Sequence, residues 1–308
     1  MSTITTRFDT TTNSGLLKKG ALRKIFDDTT SAEKVEYPIV FNDLKSTDYK
    51  PKDQRIAGLT ASSEIVEGQN IPLQSPLIGE QKEYTWRKFG SGFRITEEME
   101  FFNQFNLSKR MAKSLAKVQK MTKDTTCAAL FNAMTSTTYE RNVGFDDLAI
   151  ASAVHTQLPT TLNYSNYGNA ELSITALADA RYYFSILEDD RGNWKGATPT
   201  HLVIHPNLYV TAKEILGSEY KPLEQSNTIN VLREMDLKIF EYHRLTGTTT
   251  WFVIAKDDDY DFNVFTAWEP DFEVKPAPDN TKDKVAVSRQ LFCAGYGSVK
   301  NVYVGKAS

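Results

Sequence analysis

His201 and His205 stand four residues apart in a strand-like run, so they share a face and offer two imidazoles of the kind that ligate transition metals. A metal site needs further ligands nearby and none is apparent, which leaves two ordinary histidines near the ends of a strand. Asp257, Asp258, Asp259 and Asp261 resemble a calcium loop, but the required glycine is missing and Trp268 stands where the bidentate Glu belongs. A solvated turn is the better reading. His155 near Asp146 and Asp147 offers a base with its orienting carboxylate, although no activated nucleophile accompanies it. Cys127 lies in a helical stretch and Cys293 in a β stretch, each read as a small buried hydrophobe. GxSxG, HExxH, a Walker loop and a GxGxxG after a strand are all missing. The expectation is therefore a protein that is not an enzyme, with no catalytic residues, no metal and no cofactor.

Composition narrows the classes further. With 40% apolar and 24% charged residues in 308, the chain can build a packed core, and its length suits about two domains. Lys and Arg total 36 against 39 Asp and Glu, a balance that excludes a dedicated basic nucleic-acid binder. Two cysteines without CxxC spacing support neither a disulfide scaffold nor a zinc module. No apolar run is long enough for a membrane span, and the N-terminus lacks a signal-peptide pattern, so a soluble intracellular protein is expected.

The elements that would position any site come in an unusual order. The first fifteen residues are rich in Ser and Thr and read as an arm; a short amphipathic helix follows, with Leu16, Leu17, Ala21, Leu22, Ile25 and Phe26 on one face, ending before Asp27. Tyr37 to Leu44 reads as a strand. From 46 to about 79, Pro51, Pro72, Pro76, Gly58, Gly68 and Gly79 break every candidate helix, yet Ile56, Leu59, Ile65, Val66, Ile71, Leu73, Leu77 and Ile78 call for burial. An extended apolar segment without a local partner is either a lid or a contact with another subunit. Glu83 to Phe89 reads as a strand, with Tyr84 and Trp86 sharing a face. Thr96 then caps a helix expected to run from 97 to about 134, its first turn acidic through Glu97, Glu98 and Glu100. Leu107, Met111, Leu115, Val118, Thr122, Thr125 and Ala129 form an expected apolar stripe, and Lys109, Lys113, Lys117 and Lys120 a basic one. After a polar stretch, Ser173 caps a helix carrying Ile174, Leu177, Ala180, Phe184 and Leu187, and the turn from Glu188 to Gly192 ends it. Strands at 200–205, 237–242, 250–255 and 263–268, with a helix opened by Pro206, make 172–266 a compact α+β module. The tail reads as β throughout.

This order resembles the major capsid protein of tailed double-stranded DNA bacteriophages, the HK97-like fold. Local phrases agree: "Pro199-Thr-His-Leu-Val-Ile-His-Pro206" followed by "Thr211-Ala-Lys-Glu-Ile-Leu216", with "Asp189-Asp-Arg-Gly192" before and "Ile229-Asn-Val-Leu232" after, are similar to the central stretch of Mu-like and related phage head subunits. The resemblance implies an α+β capsid fold with an N-terminal arm (1–36), a strand plus extended β-hairpin loop (37–96, the loop at about 46–90), a peripheral domain with its spine helix (97–171, the helix at about 97–134), an axial domain (172–266) and a C-terminal β part of the peripheral domain (267–308). It implies a virion shell subunit that forms hexamers and pentamers around double-stranded DNA, assembled in the host cytoplasm. Its partners would be itself, a separate scaffolding protein, a portal and a decoration protein, with no membrane. Ile56, Leu59, Ile65, Val66, Ile71, Leu73, Leu77, Ile78, Tyr84 and Trp86 would contact the neighbouring subunit, and Lys109, Lys113, Lys117 and Lys120 would face the DNA.

Some members of that family cross-link covalently, a loop Lys attacking an Asn of a neighbour. Lys50, Lys52 and Lys82 are the donors available here and Asn301 the acceptor, but the sequence shows no desolvated pocket to deprotonate an amine. Two other readings stay open. An encapsulin-type compartment shares the fold and encloses a cargo enzyme, and a soluble α+β enzyme would use 46–79 as a lid.

Overall fold

A computed structural model describes residues 14–102, 105–137, 143–156, 163–220, 228–257, 259–279 and 282–306, with side chains from residue 20 onward except that of Phe105. Residues 1–13 of the expected arm and Asp258 of the acidic turn lie outside the described residues.

Helix α1 (Ser14–Ala32) runs past Asp27, where a stop was expected, because Asp27 faces solvent and pairs with Arg23 one turn back at 3.8 Å. The expected strand at 37–44 is instead a single helical turn, α2 (Tyr37–Val40), followed by a short strand β1 (Asn42–Lys45). Pro38 sits in the first turn of α2, where its missing N–H costs nothing. The extended segment is a long hairpin of β2 (Lys52–Ala57) and β3 (Leu77–Glu83). Strand β4 (Arg87–Ile95) comes next, and Thr96 then caps α3 (Glu97–Phe101) by accepting from the Met99 N–H at 3.3 Å. The single helix expected from 97 to 134 is two: Phe102 closes α3, and α4 (Phe105–Asn132) is the long one, about 42 Å at 1.5 Å per residue.

The middle of the chain supplies β5 (His155–Thr156), β6 (Asn163–Tyr164), β7 (Tyr167–Gly168) and α5 (Ile174–Ser185), whose Ser173 cap accepts from the Ala176 N–H as its sequence suggests. Then follow β8 (His201–Ile204), α6 (Tyr209–Gly217), β9 (Lys238–Glu241) and β10 (Trp251–Ile254). The strand expected at 263–268 runs on into the tail as β11 (Phe262–Pro276), β12 (Lys284–Tyr296) follows, and β13 (Val302–Gly305) ends the fold. Among the described residues no helix is long and apolar enough to cross a membrane.

The chain divides into two compact units, one of Met1–Val35, Trp86–Asp124 and Thr266–Phe292, the other of Glu36–Thr85, Thr125–Phe265 and Cys293–Ser308. In the first, β4 pairs antiparallel with β12 from Arg87↔Phe292 to Ile95↔Lys284, and β11 flanks β12 on the other side. Its core joins Leu22 and Phe26 of α1 to Ala112, Leu115 and Ala116 of α4 and to Phe272, Val274 and Ala286 of the strands. The buried face of α4 is thus not the expected stripe. Of that stripe Leu115 faces inward, beside the small Ala112 and Ala116, while Leu107, Met111 and Val118 stay exposed. Gln119 and Lys123 lie on the buried face because the strands answer them: the Gln119 amide donates to the Ser288 carbonyl at 3.2 Å, and the Lys123 ammonium to Thr266 Oγ1 at 2.7 Å.

The second unit is built on a five-stranded sheet of order β7-β13-β10-β8-β9. Every residue of β10 and β13 is buried, as continuous apolar runs in central strands require. Its core takes residues from 172 to 255 together with Tyr303. Val302–Gly305, read from sequence with the tail, therefore completes this sheet instead.

Candidate assembly interface

The candidate chemical groups each have partners within the fold. His201 Nδ1 pairs with Thr200 Oγ1 at 2.9 Å, while His205 Nδ1 accepts from the Asn207 N–H at 3.1 Å and caps the turn before α6. Among the described residues no cluster of metal-ligating side chains forms. Lys195 neutralises the acidic turn, 3.4 Å from Asp257 and 2.9 Å from Asp259. Cys127 and Cys293 are both buried. The structure does bring His155 and Asp146 together, at 2.6 Å, with His155 fully buried, its other ring nitrogen 3.3 Å from the Ile150 carbonyl and its ring stacked on Tyr164. Burial opposes ionisation of Asp146, but the His155 contact outweighs it and holds this carboxyl below its ordinary range. The adjoining cavity measures about 10 Å³, about the room that one water needs.

The hairpin of β2 and β3 behaves differently. Its strands pair antiparallel from Lys52↔Glu83 to Ala57↔Leu77, with a bulge between Gln54 and Ile56. Beyond Ala57 the two legs continue without strand pairing to a tight turn, closed by the Gln69 N–H on the Val66 carbonyl at 3.0 Å. Gly68 supplies the positive φ of 87° that this turn needs. Along these legs the apolar residues stand in solvent: Ile56, Leu59, Ile65, Val66, Ile71 and Ile78 are exposed, and Leu73 is 96% exposed. Leu77 is half-buried. Apolar side chains gathered in solvent along one projection mark a contact surface.

The base of the hairpin is held firmly. The Tyr84 hydroxyl donates to Asp53 at 2.6 Å, its ring lies 5.1 Å from Phe265, and a side chain at Gly295 would strike it. Tyr84 is therefore buried in its own subunit, contrary to its expected role as a neighbour contact, because the pairing of β2 and β3 turns it inward. Trp86 is half-buried in the other unit. Lys82 donates to the Val143 carbonyl and, at 2.8 Å, to that of Tyr296, with its ammonium 4.8 Å over the Tyr296 ring. Burial lowers its pKa to about 8, so the desolvated lysine missing from the sequence reading exists. The acceptor does not: Asn301 is buried, donating to Asp257 at 2.5 Å. Lys50 and Lys52 both bind Glu83, at 2.8 and 2.7 Å, and hold its carboxyl down at about 2.

A second set of contacts aims the legs, and sequence reasoning missed it. Arg55 of β2 makes a two-pronged bond to Asp190, at 2.7 and 2.5 Å, and Lys300 reaches the same carboxylate at 2.7 Å. Burial works against ionisation of Asp190, but these two cations more than offset it and hold the carboxyl below its usual range. One residue on, Arg191 donates to the carbonyls of Gly58 at 3.1 Å and Ser75 at 2.8 Å, one on each leg, and Asn193 donates to that of Leu59. The turn is itself fixed by Asp189, whose carboxylate accepts from the N–H groups of Arg191 and Asn193. The stretch from Asp189 to Asn193, read from sequence as a helix stop and part of the capsid resemblance, is a clamp on the hairpin.

An anchored base, two aimed legs and an apolar edge are the parts of a subunit that grips a neighbour. The phage capsid protein family matches the chain over residues 79–297. The chain belongs to that family. Its role is that of a shell subunit, and its place is the virion capsid. Solved structures share the fold: the head of Helicobacter pylori bacteriophage KHP40 (TM-score 0.56, 10% identity, 90% of this chain and 92% of that one), and the capsid of cyanophage P-SCSP1u (0.51, 14%, 87% and 86%). The virus-like particle from Pyrococcus furiosus is similar too (TM-score 0.54, 9% identity, 93% and 98%). No curated protein matches by sequence. The HK97-like capsid fold expected from the order of elements is thus the fold of this capsid protein, and it assembles with copies of itself.

Proposed function

We propose that this capsid protein forms the hexamers and pentamers of an icosahedral phage head around double-stranded DNA, assembling in the host cytoplasm with a separate scaffolding protein, a portal and a decoration protein. In this reading residues 46–90 are the loop that overlaps a neighbour, α4 is the spine of the peripheral domain, and 172–266 form the axial domain. The observation that carries the proposal is the exposed apolar hairpin on a base held by Arg55, Asp190 and Arg191. Such a surface is satisfied only by another subunit, and a closed symmetric shell satisfies all copies at once. Lys109, Lys113, Lys117 and Lys120 are exposed or half-buried along α4, Lys117 lying 3.5 Å from Glu33, and as the interior face they would meet DNA weakly and in a salt-screened way. The Pyrococcus particle shares the fold, so fold alone does not tell a genome from a cargo; the family match favours the virus. Electron microscopy of the protein expressed with its neighbouring genes tests the proposal. Closed shells with five-fold and six-fold capsomers are expected from the full chain, and a folded, unassembled subunit after deletion of residues 60–74. Shells built by the deleted chain would refute the role given to the loop.

A further inference from the structure

The outer face of α4 carries a second apolar surface, apart from the one packed in its own core. Leu107, Met111, Ser114, Val118 and Met121 follow at steps of four, three, four and three, so they form one straight stripe about 21 Å long. The apolar members are 44%, 39%, 36% and 47% exposed, although the opposite face of the same helix packs Ala112, Leu115 and Ala116 into the core of its unit. A helix with two apolar faces, one covered and one open, has a place for a second helix, because the four-three spacing is the seam of a coiled coil. Charge selects the occupant. Arg110, Lys113 and Lys117 run along one border of the seam, and positions 105–123 hold no carboxylate. A second copy of α4 would bring the same cations against them and be repelled. The weak, salt-screened DNA contact proposed for the lysines of this helix would leave the leucine, methionines and valine uncovered, so it does not fill the seam.

We propose that this seam is the docking site for an amphipathic helix of a second protein, with apolar residues at heptad spacing and an acidic flank against Arg110, Lys113 and Lys117. The inference goes beyond the shell reading, which names no protein partner for α4. The test measures fluorescence anisotropy of labelled four-heptad peptides on the full-length, unassembled subunit. One peptide has Leu at the seam positions and Glu at the flanks; the other differs only in carrying Lys at the flanks. Saturable binding of the Glu peptide, at least about tenfold tighter than the Lys peptide, is expected. The paired substitution Met111→Asp/Val118→Asp should abolish it with an unchanged melting curve. Should that variant melt early, Arg110→Glu/Lys113→Glu carries the test, because it keeps the seam and should reverse the preference between the peptides. No saturable binding, equal affinity for both peptides, or a preference unmoved by the charge reversal would overturn the proposal. Displacement of the peptide by a short DNA duplex at physiological salt would assign the face to DNA and overturn it as well.

Discussion

Leu73 is the sharpest place to test the hairpin. It is 96% exposed, so folding of the isolated subunit gains almost nothing from it. Once a neighbour covers it, nearly the whole side chain leaves water, worth about 2 kcal/mol. Leu73→Ser should therefore leave the melting temperature of the unassembled subunit unchanged while removing about 2 kcal/mol from each subunit's contact with its neighbour. Each 1.4 kcal/mol is about a factor of ten, so the concentration at which shells first form should rise roughly thirtyfold. Light scattering against protein concentration, with electron microscopy of the endpoints, reads this directly. An unchanged assembly threshold would place Leu73 outside the contact. A lowered melting temperature of the free subunit would show that the residue works within its own chain, and either result would refute the reasoning.

Asp190→Ala leaves Arg55 and Lys300 facing each other in a buried site, and should destabilise the unassembled subunit by about 3–5 kcal/mol in chemical denaturation. Arg191→Ala removes only bonds to the leg carbonyls; it should keep the fold, speed hydrogen exchange or proteolysis at 58–76, and slow assembly. Burial, with Asp53 and Asp259 nearby, raises the pKa of Asp261 to about 6 from 3.8. The folded state then holds a proton that the unfolded state has already lost, so stability should fall as pH rises from about 4 to 6, by roughly 3 kcal/mol. Asp261→Asn should flatten that stretch of the pH profile relative to the wild type, and a profile that stays parallel would contradict the assignment.

Local signals in the sequence were read well wherever one residue acts on its own backbone. Ser173 and Thr96 cap helices as expected, and the prolines and glycines between 46 and 79 do mark an extended loop. Misreadings arose where distant residues decide. The stripe of Leu107, Met111 and Val118 looks like the core face by size, yet Ala112 and Ala116 let α4 approach the strands closely, and Thr266 and Ser288 make Lys123 and Gln119 acceptable inside. The alternation at Tyr37, Ile39 and Phe41 suggests a strand, but Pro38 and the Tyr37 carbonyl close a helical turn. Nothing in the local spacing joins Arg55 to Asp190, because 135 residues separate them. Tyr84 shows the same limit: its burial depends on Asp53, Phe265 and Gly295, none of them beside it in the chain.

Apart from Arg55, held by Asp190, the clamp on the hairpin grips main chain. Arg191 and Asn193 grip the carbonyls of Gly58, Ser75 and Leu59, groups that every amino acid carries. Substitutions along the legs beyond Arg55 therefore leave the direction in which the hairpin projects intact. The surface offered to the next subunit can drift in sequence, following changes in the surface it meets, while its aim is inherited from a turn elsewhere in the chain. Variation should accordingly concentrate between 59 and 74, with Asp189, Asp190, Arg191 and Asn193 held fixed beneath it.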